Sequence, residues 1–179
     1  MTCSHIGPER SIGRRAMVRQ GALGLGAALV GLGAGPRFAA AAGGTDALLL
    51  SCMDYRLTGK IGAFMAGKGM AEKYDHVILA GAALGAVTPK YPDWGNTFRQ
   101  HLDIAIQLHG IHQVVIVDHR DCGAYKTILG KDFAADPAAE TEIHTKMLHR
   151  ARQEIVHAHP KLDVSLYLMA LDGTTEPIS

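Results

Sequence analysis

Four short apolar runs recur along residues 47–171, and they limit the folds that this chain can adopt. The runs are ALLLSC (47–52), HVILAG (76–81), QVVIVDH (113–119) and VSLYLMAL (164–171). Unbroken runs of Val, Ile and Leu are typical of strands buried on both faces, as in parallel sheets. The segments between the runs are long enough for helical crossovers. The sequence therefore predicts an α/β fold with a small, mostly parallel sheet of about four strands flanked by helices.

Three of the connecting segments carry helical signals of unequal strength. In the last of them, Asp136 is a candidate cap and Pro137 suits the first turn, so we expect a helix that ends before Pro160. A second helix is expected from about Asp93 to His109, where apolar residues recur on one face. The first segment, Thr58 to Tyr74, contains four glycines and predicts a weaker helix or one broken into two pieces.

The first 42 residues differ in character from the rest of the chain. A pair of arginines at 14–15 precedes a weakly apolar Gly/Ala/Leu run at 21–35, and small residues follow. This order resembles a twin-arginine export signal and predicts cleavage near residue 42, giving a periplasmic or exported protein. A transmembrane anchor is the alternative, but the run is shorter than the ~20 apolar residues that a bilayer span needs. The predicted organisation is a signal peptide at 1–42 and a single domain at 43–179, with no stable membrane span after processing.

The charge balance argues against a nucleic-acid partner. The chain has 18 Lys and Arg against 17 Asp and Glu, and five of the arginines precede the predicted cleavage site. The remaining chain is slightly acidic and lacks the basic patch that binds phosphate backbones.

Two of the predicted strands end in residues that bind metal ions. Cys52 ends the first run, while the third run leads into DHRDCG, which carries His119 and Cys122. The carboxyl ends of parallel strands lie at one edge of a sheet, so these residues are expected to be neighbours. Two sulfurs and one imidazole nitrogen with an open fourth position form a Cys₂His arrangement that suits catalytic zinc. A disulfide between the two cysteines, with His119 as a simple turn residue, is the alternative.

An acidic and a basic residue follow Cys52 at alternate positions. In an extended chain, Asp54 and Arg56 would point to the same side as the Cys52 thiol. A carboxylate held by a guanidinium keeps a low pKa and a fixed orientation. An ordinary surface ion pair of little energetic value is the alternative.

These two motifs carry a family resemblance. SCMDYR and DHRDCG resemble the C-x-D-x-R and H-x-x-C signatures of the β-class carbonic anhydrases, and the similarity extends from about Ala47 to the end of the chain. The resemblance implies a β-carbonic anhydrase-like domain that binds one Zn²⁺ per chain through Cys52, His119 and Cys122.

The same resemblance implies a catalytic activity. Asp54 and Arg56 would form the catalytic dyad of a zinc lyase, or carbonate dehydratase. The expected reaction is the zinc-dependent reversible hydration of carbon dioxide to bicarbonate by zinc-bound hydroxide. The family also implies a homodimer or a higher homo-oligomer.

The chain departs from the family pattern in two places. The family usually has an arginine–asparagine pair in the turn after its second strand, whereas this chain reads ILAGAALGAV, with Ala80 and Gly81 near that place. A helical arm often precedes the first strand in the family, and here few residues separate the predicted cleavage site from Ala47. We therefore expect differences in substrate entry or in the dimer contact.

Two other functions are compatible with the same residues. One is a zinc hydrolase of a related substrate, such as carbonyl sulfide or carbon disulfide. The other is a non-catalytic exported domain whose cysteines form a disulfide or hold a closed structural zinc.

The sequence also predicts where several histidine and aromatic side chains lie. Four histidines on or after the last helix are expected at the surface: His144, His149, His157 and His159. Aromatic residues are assigned as follows: Tyr91 and Trp94 to a pocket mouth, Phe98 to the core, and Tyr55 and Tyr125 to the pocket wall.

Overall fold

A computed structural model describes residues 44–179. The predicted signal peptide and its cleavage site lie outside these residues. The five strands are β1 (Ala47–Cys52), β2 (Tyr74–Leu79), β3 (Gln113–His119), β4 (Asp163–Met169) and β5 (Thr175–Ile178). The helices are α1 (Thr58–Gly67), α2 (Ala83–Val87), α3 (Pro92–His109), α4 (Gly123–Leu129) and α5 (Pro137–Ala158), and a 3₁₀ turn at Tyr55–Leu57 precedes α1.

The strands form one sheet in the order β2-β1-β3-β4-β5. The first four strands are parallel, and β5 pairs antiparallel with β4. Successive side chains of β1 and β3 point to opposite faces of the sheet, so both strands contribute to a core on each face. On one face, Leu48 and Leu50 pack with residues of α2, α3 and α5. On the other face, Leu49 packs with Ile61 and Met65 of α1. The predicted α/β fold with a small, mostly parallel sheet is confirmed.

The sequence located the central elements more closely than the outer ones. The predicted limits of β1 and β3 match the structure, and α3 and α5 lie where they were expected. The Asp136 side chain caps α5 by accepting a hydrogen bond from the Ala139 N–H at 3.1 Å, and α5 ends before Pro160. The expected runs for β2 and β4 are displaced by one or two residues.

The predicted helix from Thr58 to Tyr74 is too long. Helix α1 ends at Gly67, and Gly69 has a φ of 73°, which turns the chain out of the helix. Tyr74 already belongs to β2. Helices α2 and α4 and strand β5 were not predicted, because each is short and carries no periodic pattern of its own.

No helix within residues 44–179 combines the length and the hydropathy that a bilayer crossing requires.

Helix α3 approaches α2 closely at Gly95. This close contact predicts that a methyl group added at Gly95 destabilises the fold. A Cβ at Gly95 would clash with the Ala86 carbonyl oxygen of α2. We expect Gly95→Ala to lower the free energy of unfolding by about 1–3 kcal/mol because the two helices must separate. Gly62→Ala is the matched control, since Gly62 lies in α1 and, apart from the adjoining turns of that helix, no atom of residues 44–179 lies within 4 Å of the added carbon. The control should raise stability by about 0.5–1 kcal/mol, and equal denaturation midpoints for both variants would contradict the prediction.

Candidate metal centre

The sheet brings Cys52, His119 and Cys122 together at its carboxyl edge. Ser51 of β1 pairs with Val117 of β3, so the two strands end side by side. Cys122 follows three residues after His119, immediately before α4. One donor atom from each of the three residues lies within 4.8 Å of the others, which is a spacing that a single metal ion can bridge.

The imidazole of His119 has one nitrogen that is satisfied and one that is available to a ligand. Its Nδ1 lies 2.8 Å from the Arg120 carbonyl oxygen, so Nδ1 carries the proton and donates to that oxygen. Its Nε2 is buried and has no hydrogen-bond partner within residues 44–179. Buried polar nitrogens are rarely left unpaired in folded proteins. A metal ion between Nε2 and the two sulfurs would satisfy this atom, so the donor set fits a zinc ion.

The two cysteines are free thiols rather than a disulfide in this structure. Their sulfurs lie 3.8 Å apart, well beyond the ~2.05 Å of a disulfide bond. The hydrogen bond with the Cys122 thiol lowers the pKa of Cys52 to about 4, and the Gly81 N–H, 3.3 Å from the Cys52 sulfur, acts in the same direction. The same contact raises the pKa of Cys122 far above its usual value. The contact therefore favours ionisation of Cys52 over Cys122, and a bound cation would favour the thiolate form of both.

A carboxylate and a guanidinium lie beside the three donors. The Arg56 Nε and Nη2 groups donate to both oxygens of Asp54 at 2.7–3.2 Å, and Asp54 Oδ1 also accepts from the Arg56 backbone N–H at 3.0 Å. These bonds lower the pKa of Asp54 to about 2, so the carboxylate is ionised at neutral pH. Asp54 Oδ2 lies 3.9 Å from His119 Nε2, at the position where the metal donors converge.

The backbone conformation that brings Asp54 and Arg56 together differs from the predicted one. Strand β1 ends at Cys52, and Asp54 caps the 3₁₀ turn that contains Arg56. The two side chains therefore meet through a turn rather than by alternation along an extended strand. The structure also adds a partner, because Arg56 donates to the Asp121 carboxylate at 2.7 Å and to the Asp121 carbonyl at 2.9 Å.

The loop between His119 and Cys122 is held from behind by Glu140, which the sequence analysis did not identify. Glu140 of α5 is only 5% exposed. Its carboxylate accepts from the Asp121 N–H at 2.6 Å and from Arg120 at 3.2 Å. Asp121 has a φ of 54°, an unfavourable conformation for a non-glycine residue. Glu140 thereby stabilises the turn that presents Cys122 and places Asp121 against Arg56.

Asp118, Tyr125 and His144 form a buried polar cluster, and this corrects two predictions. His144 is 1% exposed rather than at the surface, because it shares the core-facing side of α5 with Met147 and Leu148. Tyr125 is 2% exposed and does not line the cleft that contains Cys52 and Cys122. Burial raises the pKa of Tyr125 well above its usual value, so its hydroxyl remains a donor to Asp118. An acidic residue inside the apolar run QVVIVDH was the available signal, since a buried carboxylate requires partners.

The other three histidines of the last helix and its end agree with the prediction. His157 is exposed, and His149 and His159 are partly exposed.

An open cleft of about 510 Å³ lies above Cys52 and Cys122. Its walls include the exposed Tyr55 and the stacked pair Tyr91 and Trp94, whose ring centroids are 4.3 Å apart. These three aromatic residues therefore lie where they were predicted, and Phe98 is buried in the core as expected.

The turn after β2 contacts the Cys52 sulfur. Ala80 lines the cleft, and Gly81 has a φ of 77°. A Cβ at Gly81 would also lie 3.2 Å from the Ala124 side chain. Glycine therefore allows this turn to approach α4 while its N–H points at the sulfur.

The comparisons with known proteins agree with this geometry. Residues 42–179 match a family model described as "Putative carbonic anhydrase". Uncharacterised proteins of Rickettsia bellii (strain RML369-C) and Rickettsia conorii (strain ATCC VR-613 / Malish 7) are each 40% identical over 131 residues, or 73% of this chain. The matched region covers 80% of the first relative and 70% of the second.

A solved structure shares the fold at low sequence identity. A mutant of the β-carbonic anhydrase CafD from Aspergillus fumigatus superposes with a TM-score of 0.52 at 12% identity, covering 76% of this chain and 90% of that one. The match over residues 42–179 shows that this chain belongs to the putative carbonic anhydrase family, and its fold is that of a β-carbonic anhydrase.

Proposed function

We propose that this protein is a zinc-dependent carbonic anhydrase that interconverts carbon dioxide and bicarbonate. The observation that carries the proposal is the buried, unpaired Nε2 of His119 facing two free thiols. A disulfide-linked domain would leave this nitrogen without a partner. Cys52, His119 and Cys122 would hold the ion, and the family membership supports the reaction.

The three-residue donor set leaves a coordination position for chemistry. When bound, a zinc ion with three protein ligands supplies a Lewis acid that activates water as a nucleophile. The protein's own contribution is to keep that position reachable: Cys52 and Cys122 both line the open cleft. A structural Cys₂His₂ or Cys₄ site would have a fourth protein ligand at this place.

Asp54 is placed to orient the attacking water. Its Oδ2 atom lies close to His119 Nε2, and its ionised carboxylate can accept a hydrogen bond from water at the site. The paired bonds from Arg56 prevent the carboxylate from rotating, and Asp121 anchors Arg56 in turn. This chain of contacts directs one lone pair of the water away from Asp54 and toward the cleft.

The cleft suits a small, apolar substrate. Its lining is mainly apolar and includes Ala124, Ile128 and Trp94, so carbon dioxide can enter without losing hydrogen bonds to water. The wide opening lets the charged bicarbonate product return to solvent.

Assembly and export complete the proposal. Strand β2 lies at the edge of the sheet, where Ile78 is 53% exposed, and such an edge strand offers a surface for the second copy of a homodimer. Export rests on the arginine pair at 14–15 and on the glycine-rich run that follows. A twin-arginine route would allow zinc to bind in the reducing cytoplasm, which protects both thiols from oxidation.

The function is tested by measuring zinc content and stopped-flow carbon dioxide hydration on the same preparation. We expect about one zinc per chain and hydration that disappears when a chelator removes the metal and returns when zinc is restored. Carbonyl sulfide and carbon disulfide serve as parallel substrates. Release of sulfide without carbon dioxide hydration would replace the proposed reaction with the hydrolysis of a related substrate.

The ligand assignment predicts that Cys122→Ser loses zinc. A neutral hydroxyl binds zinc far more weakly than a thiolate, so metal content should fall to background while the sheet remains folded. His157→Ala removes an exposed histidine from the end of α5 and is the control. Elemental analysis and circular dichroism measure the two effects, and full zinc occupancy in Cys122→Ser would refute the ligand set.

The proposed role of Asp54 predicts that Asp54→Asn retains the metal but turns over more slowly. Asp54→Asn removes the charged acceptor, so turnover should fall by about ten- to a thousandfold, which corresponds to ~1.4–4 kcal/mol. Asp103→Asn removes a carboxylate that is 62% exposed and does not line the cleft, and it should behave as the wild type. Equal turnover in the two variants at verified zinc content would reduce Asp54 and Arg56 to a surface ion pair.

A further inference from the structure

Asp118 is a buried carboxylate that the proposed reaction does not use. It precedes His119 in β3, and because strand side chains alternate, it points to the opposite face of the sheet. Its side chain is 0% exposed. A charge in such a place is costly unless hydrogen bonds compensate it. Asp118 has three donors, and each comes from a different element.

The first donor connects Asp118 to Cys52. The Ala83 N–H at the start of α2 lies 2.9 Å from Asp118 Oδ1. Just before it, Ala82 has a φ of 38°, a strained value for a residue with a Cβ, and Gly81 donates its N–H to the Cys52 sulfur. The bond to Asp118 holds this strained turn two residues from the atom that touches the sulfur.

The second donor connects Asp118 to Cys122. The Tyr125 hydroxyl donates to Asp118 Oδ2. Tyr125 lies in the first turn of α4, three residues after Cys122, which is the cap of that helix. Fixing the phenol therefore fixes the helical turn from which the Cys122 sulfur is presented.

The third donor connects the cluster to α5. Nδ1 of His144 lies 2.9 Å from Asp118 Oδ2, and the imidazole packs against Tyr125 with ring centroids 3.8 Å apart and an angle of 34° between the ring planes. This contact leaves little freedom for Tyr125 to move away from Asp118.

We propose that Asp118 is a positioning residue for the metal centre. Its carboxylate ties the Gly81–Ala83 turn to α4 and so maintains the 3.8 Å separation of the two sulfurs. The inference rests on the proposed zinc site for its role in catalysis. The positioning itself is a property of the metal-free protein and can be measured there.

Two variants and two controls test the proposal. Asp118→Asn weakens all three contacts, and Tyr125→Phe removes only the hydroxyl that reaches α4. Tyr167→Phe is the matched control, because its hydroxyl accepts from Lys68 outside this cluster. Met65→Ala controls for lost stability, since Met65 of α1 is buried in the core on the other face of the sheet from Asp118.

The first readout is zinc affinity by competition with a chelator, together with the thiolate-to-metal absorption band of the cobalt(II) form. We expect both variants to bind zinc about 10–100-fold more weakly and to show an altered band, as is typical when the groups that orient a ligand are removed. Both controls should retain the wild-type values. An equal loss of affinity in Met65→Ala would overturn the proposal, because stability alone would then explain the effect.

The second readout uses no metal. In the zinc-free protein, the alkylation rate of Cys52 or Cys122 should change several-fold in Asp118→Asn and Tyr125→Phe, because the contacts that set the exposure and the thiolate character of the sulfurs are altered. If the wild type binds no zinc, the proposed function fails while this experiment still decides the role of Asp118. Unchanged alkylation in Tyr125→Phe would refute the positioning role even if Asp118→Asn failed to fold.

Discussion

The parallel pairing of β1 with β3 is the constraint on which the metal centre depends. With Ser51 opposite Val117, the strands end together and deliver Cys52 and His119 to one edge of the sheet. A shift of one residue would turn one of these side chains to the opposite face. The register is held by Leu48, which is buried on one face, and by Leu49, which is buried on the other, so the packing of the core specifies the geometry of the site.

Three carboxylates lie near this edge of the sheet, and each makes a different set of contacts. Asp54 faces the converging donors with both oxygens held by Arg56. Glu140 supports the turn between His119 and Cys122 from α5. Asp118 points to the face opposite His119 and joins the turn that contacts the Cys52 sulfur to the helix that begins next to Cys122. The metal donors are therefore fixed by buried hydrogen bonds on both faces of the sheet, which is what a pre-organised ligand set requires.

The sequence predicted the strands that carry ligands because fully buried parallel strands leave an unmistakable apolar run. It did not predict β5, since TEPI has no such run and is stabilised by its pairing with β4. It assigned His144 to the surface because no cysteine or carboxylate partner lies at a suitable spacing in the sequence, whereas the fold brings Asp118 of β3 next to it. Residues that support the site from other elements, such as Glu140, become visible only when long-range contacts are known.

The central claim is that Cys52, His119 and Cys122 together bind zinc, and X-ray absorption at the zinc edge tests it most directly. The account predicts two sulfur neighbours at about 2.3 Å and nitrogen or oxygen neighbours at about 2.0–2.1 Å from the metal. A zinc spectrum without sulfur scattering would contradict it. So would purified protein that contains no zinc and has Cys52 joined to Cys122 by a disulfide.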